Sequence, residues 1–204
     1  HIHLSESNKE VNDCLSEYGK TPVEMLNDIG FLDGRTIAAH CVKLSEKDIN
    51  ILSENGVNVV TNPSSNAKLG NGWAPVMSML KNNINVCLGT DSAASNNTLN
   101  MFREMNVFSL LHKAINELAT ALSAENVLEC ATVNASFALG LANKTGVISE
   151  GSNADLVFVD LKTPSVFPNN DIISSLCYSA NGSEVQSVMI NGKFVMKNRV
   201  ITTI

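Results

Sequence analysis

The sequence predicts an α/β protein, and two observations carry that prediction. Between Ile2 and Ala119, short apolar runs alternate with amphipathic helical segments. After Gly146 the rhythm changes to closely spaced strands with a hairpin signal. The early strands are nearly all apolar, as expected where both faces of a parallel sheet are covered. Four strand-then-helix units suit half of a (βα)8 barrel, and they equally suit an open doubly wound sheet.

The elements follow in order. Ile2–Leu4 is a short strand. A helical piece covers Glu10–Tyr18, and a second starts after Thr21, a good N-cap with Pro22 at the first helical position. Thr36–Cys41 (TIAAHC) is an apolar strand. Ser45 with Asp48 resembles a capping box that opens a helix to Glu54, and Asn55-Gly56 stops it. Val57–Thr61 is β-branched and strand-like. A Gly/Asn/Ser/Pro-rich loop is expected over Asn62–Gly72, then a helix over Ala74–Asn82, a strand over Asn85–Gly89 and a polar loop over Thr90–Asn97.

The next helix spans Leu99–Leu118. Met101, Met105, Phe108, Leu111, Ile115 and Leu118 fall at helical spacing on one face, which reads as core packing. His112 lies off that stripe and reads as a surface histidine. One further helix is expected over Ser123–Leu139, with Ser123 as cap and Gly140 as stop. Ala154–Asp160, Val185–Asn191 and Lys193–Met196 read as strands, the last two joined by an Asn191-Gly192 turn. A boundary therefore falls near Lys144–Ser152.

Composition narrows the function classes. Hydrophobic residues make up 44% and charged residues 17% of the 204, enough apolar material for a buried core. The net charge is −6 and no Lys/Arg cluster stands out, so neither nucleic acid nor an anionic membrane is expected as a partner. No apolar run is long enough to span a bilayer, and no signal peptide is recognisable. The five cysteines are widely spaced, without a C-x-x-C pair. Buried reduced thiols and a cytoplasmic location are expected. The chain enters directly into a strand, which suggests further residues upstream.

The chemistry gathers at strand ends. His3 and Glu6, His40, Asn62 with Ser64, Ser65 and Asn66, and Asp91 all fall at or just after the C-terminal ends of strands. In a parallel barrel those ends converge on the face where sites are built. A lone histidine in a buried strand is ordinarily a satisfied core residue. Two histidines, a glutamate and an aspartate gathered this way are harder to explain as packing. Imidazole and carboxylate are ligands for zinc or iron, and such an ion lowers the pKa of its water to about 7. One carboxylate could accept that water's proton, and a second, such as Glu6, could donate one to a leaving group.

Four stretches carry a family resemblance: H-L-S-E at His3–Glu6, A-A-H-C at Ala38–Cys41, N-P-S-S-N-A-K-L-G at Asn62–Gly70 and G-T-D-S-A-A-S-N-N at Gly89–Asn97. Together they resemble the amidohydrolase superfamily. More narrowly they look like its branch of 5-methylthioadenosine/S-adenosylhomocysteine deaminases, grouped with ATZ/TRZ chlorohydrolase-like enzymes. Gly146–Val157 and Val188–Lys193 resemble the chain's return into that superfamily's small β-sandwich.

The resemblance implies that residues 1–145 form strands five to eight of a metal-dependent (βα)8 TIM barrel and that residues 146–204 belong to the β-sandwich. It implies His3 and Asp91 as metal ligands. It implies Glu6, His40 and Asp91 as catalytic residues, and Glu6, His40 and Ser95 as substrate contacts. The cofactor would be one divalent metal, zinc or alternatively iron. The substrate would be a small heterocycle, deaminated by hydroxide on the metal. Dechlorination or deamination of another N-heterocycle is the alternative, and a non-catalytic structural protein is a third.

His1-Ile2-His3 invites assignment as the family's H-x-H pair on strand one. Spacing argues against it: a barrel needs about 250 residues, yet only three further strand units fit between His3 and Asp91. His1 then lies one strand pitch below His3 and is a bystander. Four strands cannot close a barrel. The expected partner is the missing N-terminal half or a second copy, and metal binding by this stretch alone is expected to be weak.

Overall fold

The computed structural model describes residues 1–203. They divide into two compact units, residues 1–99 and the part from Asn100 onward. The first unit holds a parallel sheet of strands β1 (Ile2–Leu4), β2 (Ile37–His40), β3 (Asn58–Thr61) and β4 (Val86–Leu88), hydrogen-bonded in chain order. Leu4 lies opposite His40, Ala39 opposite Val60 and Thr61 opposite Leu88, so the four C-terminal ends are level.

Local chemistry sets the helices between them. Helix α1 (Asn8–Tyr18) starts at Ser7, whose hydroxyl accepts from Glu10 N, and stops at Gly19 in the left-handed region at φ 68°. Helix α2 (Pro22–Asp28) has a full capping box between Thr21 and Glu24 with Pro22 at its first position. Helix α3 (Glu46–Glu54) has the same device between Ser45 and Asp48. Val23, Leu26, Ile49, Leu52, Val76 and Met79 of the flanking helices are buried, as are Ala38, Val59, Val86 and Cys87 of the sheet. Each buried Val, Leu, Ile or Met side chain among them contributes about 1.5–3 kcal/mol.

Two stretches expected as loops contain helix. Helix α4 (Pro63–Lys68) lies where a loop was expected over Asn62–Gly72, and α5 (Val76–Lys81) follows it. Ser and Asn are weak helix formers, but here Ser65 and Asn66 are buried and hydrogen-bonded to residues far away in sequence. Tertiary contact overrides propensity. Within Thr90–Asn97, Ser92 caps the single turn α6 (Ala93–Asn96) by accepting from Ser95 N.

The second unit opens with α7 (Met101–Ile115). Met105 and Phe108 are buried as the stripe predicts, but Ile115 and Leu118 are each 49% exposed. The buried face is instead completed by Glu104, Ser109 and His112. These polar groups are accommodated by specific contacts. The Ser109 hydroxyl lies 3.0 Å from Tyr178 Oη, and His112 meets the Phe108 ring edge-on at 5.0 Å. The expectation of a surface histidine at position 112 is therefore wrong: the residue is 4% exposed.

The expected helix over Ser123–Leu139 is two helices, α8 (Ala124–Ala131) and α9 (Val133–Ala138). They break at Thr132, whose hydroxyl donates back to Leu128 O and whose carbonyl faces Gly146. A Cβ on Gly146 would approach that carbonyl to 2.9 Å.

Strands β5 (Leu156–Val159), β6 (Val185–Ile190), β7 (Lys193–Lys197) and β8 (Val200–Ile201) form an antiparallel sheet in chain order. Asn191 and Gly192, at φ 47° and 76°, turn β6 into β7 as the Asn-Gly signal predicts. Helix α10 (Ile172–Tyr178), which the sequence did not announce, packs on α7 and α8, and β8 was also unforeseen. Among the described residues, no helix is long and apolar enough to cross a membrane.

Two predictions follow from this packing. A Cβ at Gly89, just past β4, would stand 2.6 Å from Asn62 Oδ1 and 3.1 Å from Val60 Cγ1. Gly89→Ala should lower the unfolding free energy by about 1–3 kcal/mol in urea titration, the usual range for overpacking. An unchanged midpoint would contradict this close approach. Burial also holds the His112 pKa down at about 4. The unfolded imidazole takes up its proton near pH 6.5, so stability attached to this group is intact above that pH and is lost as pH falls toward 4. Relative to a His112→Leu variant, the protein should lose about 3 kcal/mol between pH 7 and pH 4. A pH-independent difference would show the imidazole to be solvated.

Candidate functional site

The level ends of β1 to β4 bring the polar residues of the first unit together. The chain leaves these strands abruptly. Ser5, His40, Cys41 and Asp91 all occupy the left-handed region, at φ 50°, 73°, 48° and 58°. Non-glycine residues held there cost about 1–3 kcal/mol each and persist where surrounding structure enforces them.

His3, on β1, has an exposed side chain and meets the His40 ring edge-on, with centroids 4.7 Å apart. Glu6 Oε2 lies 3.9 Å from His3 Nδ1 and 3.7 Å from His40 Nε2. His40 is fully buried. Its Nδ1 sits 2.8 Å from Asn66 Oδ1, while its buried Nε2 has no partner among the described residues. His3, His40 and Asp91 each bring one ligand atom to within 4.8 Å of the others. His1 is exposed and stands outside this group.

Asp91 Oδ2 accepts from the hydroxyls of Ser65 at 2.6 Å and Ser95 at 2.5 Å. Burial pushes the Asp91 carboxyl up. Those two hydroxyls, the Ser92 backbone N–H and the nearby His40 outweigh it and hold the carboxyl below its ordinary range. Asp91 is therefore a carboxylate at neutral pH, with one oxygen committed to hydroxyls.

The sequence-predicted residues His3, Glu6, His40, Asp91 and Ser95 thus lie in one unit around one set of strand ends. The residues that hold them were less legible. Asn71 Nδ2 donates to Glu6 Oε1 at 2.8 Å, and nothing in the sequence marked it. Glu10 accepts from both Ser5 N and Glu6 N, each at 2.7 Å. The Ser7-x-x-Glu10 spacing did carry a signal, that of a capping box. Here the glutamate instead reaches past Ser7 to the two preceding amides and fixes the turn that presents Glu6.

Two imidazoles and a carboxylate form a donor set suited to zinc or iron. The orphaned Nε2 of His40 is the kind of buried polar atom that an ion or a bound water would satisfy. The residues present fit a divalent ion, with His3 and Asp91 the more accessible pair.

A family model for the amidohydrolase family matches residues 1–195. The chain belongs to the amidohydrolase family. It is 48% identical over 204 residues to a 5-methylthioadenosine/S-adenosylhomocysteine deaminase of Caldanaerobacter subterraneus, covering 100% of this chain and 47% of that protein. The chain therefore spans about half the length of the curated relatives it matches. Among solved structures it resembles an adenosine deaminase from Xanthomonas campestris with bound zinc, at a TM-score of 0.97 and 38% identity. That match covers 100% of this chain and 46% of the other. It also resembles a zinc complex of atrazine chlorohydrolase from Arthrobacter aurescens, at a TM-score of 0.92 and 26% identity, covering 99% and 45%. These likenesses make the first unit part of an α/β amidohydrolase domain.

Removing the Glu10 carboxylate should loosen the β1 turn. Each amide-to-carboxylate bond is charge-assisted, with a typical contribution of about 1.5–3 kcal/mol. Glu10→Ala should therefore reduce the unfolding free energy by about 3 kcal/mol in urea titration, and an unaltered transition would show that other contacts hold the turn.

Proposed function

We propose that the full-length protein is a metal-dependent hydrolase acting on C–N bonds other than peptide bonds, specifically a deaminase of adenine-type nucleosides such as 5-methylthioadenosine or S-adenosylhomocysteine. The observation that carries this is the convergence of His3, Glu6, His40 and Asp91 at level parallel strand ends. The 48% identity to a deaminase of that class supports the choice of substrate.

In this reading residues 1–145 supply strands five to eight of a (βα)8 barrel, and residues 146–204 supply part of a small β-sandwich. The other half of the barrel covers the free edges of β1 and β4. Five cysteines, none in a disulfide among the described residues and four of them buried, support placement in the cytoplasm.

His3 and Asp91 would hold the divalent ion, which we take to be zinc on the strength of the zinc-bound neighbour, with iron as the alternative. When bound, the ion supplies a water that ionises near neutral pH. Asp91, ionised and with one oxygen held by Ser65 and Ser95, accepts a proton from the attacking water. His40 Nε2 orients the attacking oxygen. Glu6, steadied by Asn71, passes a proton to the ring nitrogen and recovers one from the newly added hydroxyl, while the exocyclic amine takes the proton that Asp91 accepted and leaves as ammonia. Ser95 borders the substrate.

The chlorohydrolase likeness supports a second reading, hydrolysis of another N-heterocycle on the same residues. Ammonia release by the full-length protein from 5-methylthioadenosine, set against chloride release from a chlorinated triazine, separates the two. Glu6→Gln should reduce deamination kcat by about 100-fold or more, the range for losing a positioned acid–base group. Near-normal turnover would remove Glu6 from the mechanism.

A further inference from the structure

We infer that Asn66 is a positioning residue that fixes His40 as its Nδ1–H tautomer, leaving the Nε2 lone pair free to face the reacting atoms. This rests on the reading of His40 as an active-site residue and assigns Asn66 a part in it.

The geometry leaves few alternatives. His40 is fully buried and Asn66 is 1% exposed, so neither can exchange its partner for bulk water. Nδ1 of His40 and Oδ1 of Asn66 are 2.8 Å apart, a full-strength hydrogen bond if Nδ1 carries the proton. The other amide nearby, Asn62 Nδ2, is 3.5 Å from the same nitrogen, at the limit of hydrogen bonding. With the proton on Nε2 instead, Nδ1 would press a lone pair against the Asn66 carbonyl oxygen, and a buried N–H would lack an acceptor. Glu6 Oε2, the nearest carboxylate oxygen, is 3.7 Å from Nε2 and out of range. An unmet buried donor costs about 1–3 kcal/mol, enough to leave one tautomer dominant.

Neighbouring residues act in the same way from the same segment. Ser65 donates to Asp91 and Asn71 donates to Glu6, so residues 65, 66 and 71 hold three groups that come from three different strand ends. The chemistry alternates with the need: hydroxyl and amide donors meet carboxylates, and an amide oxygen meets the imidazole. Asn66 is the member whose loss changes a proton position rather than only a contact.

The test is nitrogen NMR on the full-length protein labelled with 15N-histidine, with His40→Gln used to assign the signal. His40 should show a protonated Nδ1 and an unprotonated Nε2. Asn66→Leu should abolish that preference and lower kcat about 10- to 100-fold, typical for loss of a hydrogen bond behind an active-site imidazole, with KM changed much less. Asn66→Asp retains an acceptor at the same place and should keep Nδ1 protonated. It is the informative variant if Asn66→Leu fails to fold. A wild-type His40 protonated on Nε2 alone would overturn the inference, as would a tautomer unaltered by Asn66→Leu or lost in Asn66→Asp. The NMR signature does not depend on turnover. Absence of deaminase activity alongside the expected signature would therefore overturn the proposed reaction and leave this assignment standing.

Discussion

The site depends on the level register of four parallel strands. Because Leu4 pairs with His40 and Thr61 with Leu88, the residues just beyond each strand emerge on the same edge of the sheet. A shift of one residue in any pair would turn its side chains to the opposite face. The chain then has to turn away at once, and it does so through left-handed residues at Ser5, His40, Cys41 and Asp91. These turns carry backbone strain that local hydrogen bonds offset. The Glu10 carboxylate on the Ser5 and Glu6 amides is the plainest case. Val42 N and Lys43 N, which both donate to Ser5 O, tie the same turn to the end of β2.

A second layer of polar residues decides what the strand-end groups can do. An isolated buried imidazole or carboxylate would change its protonation state or find a nearby partner. Here the partners come mostly from the segment that includes α4. Ser65 donates to Asp91, Asn66 stands against His40, and Asn71 holds one oxygen of Glu6. Lys68 anchors that segment to the Ala94 carbonyl and to Asn97 in the loop after β4. The elements that follow β3 and β4 are thereby fastened to each other as well as to the reactive groups.

Much of this was legible in the sequence, and the exceptions share a cause. The capping boxes at Thr21 and Ser45, the Asn191-Gly192 hairpin and the four apolar strands are local signals, and each element formed where its signal stood. His3, Glu6, His40 and Asp91 stood out because polar residues at the ends of apolar strands are conspicuous. Helix α4 was not legible, since a Pro-Ser-Ser-Asn run reads as loop until its side chains find His40 and Asp91. The burial of His112 was hidden for a similar reason: its position off the apolar stripe says nothing about Phe108 and the other groups that enclose it. Glu10 carried a capping signal that pointed one and two residues away from its real partners. Local pattern announces elements, while long-range hydrogen bonds decide which polar residues those elements bury.

The central claim is that these strand ends form one half of a divalent-metal site. Anomalous scattering at the zinc edge from crystals of the full-length protein tests it most directly. A peak is expected within about 2.2 Å of both a His3 ring nitrogen and an Asp91 carboxylate oxygen, the distances zinc adopts with such ligands. A zinc peak elsewhere in the protein, with His3 and Asp91 both outside coordinating distance, would contradict it.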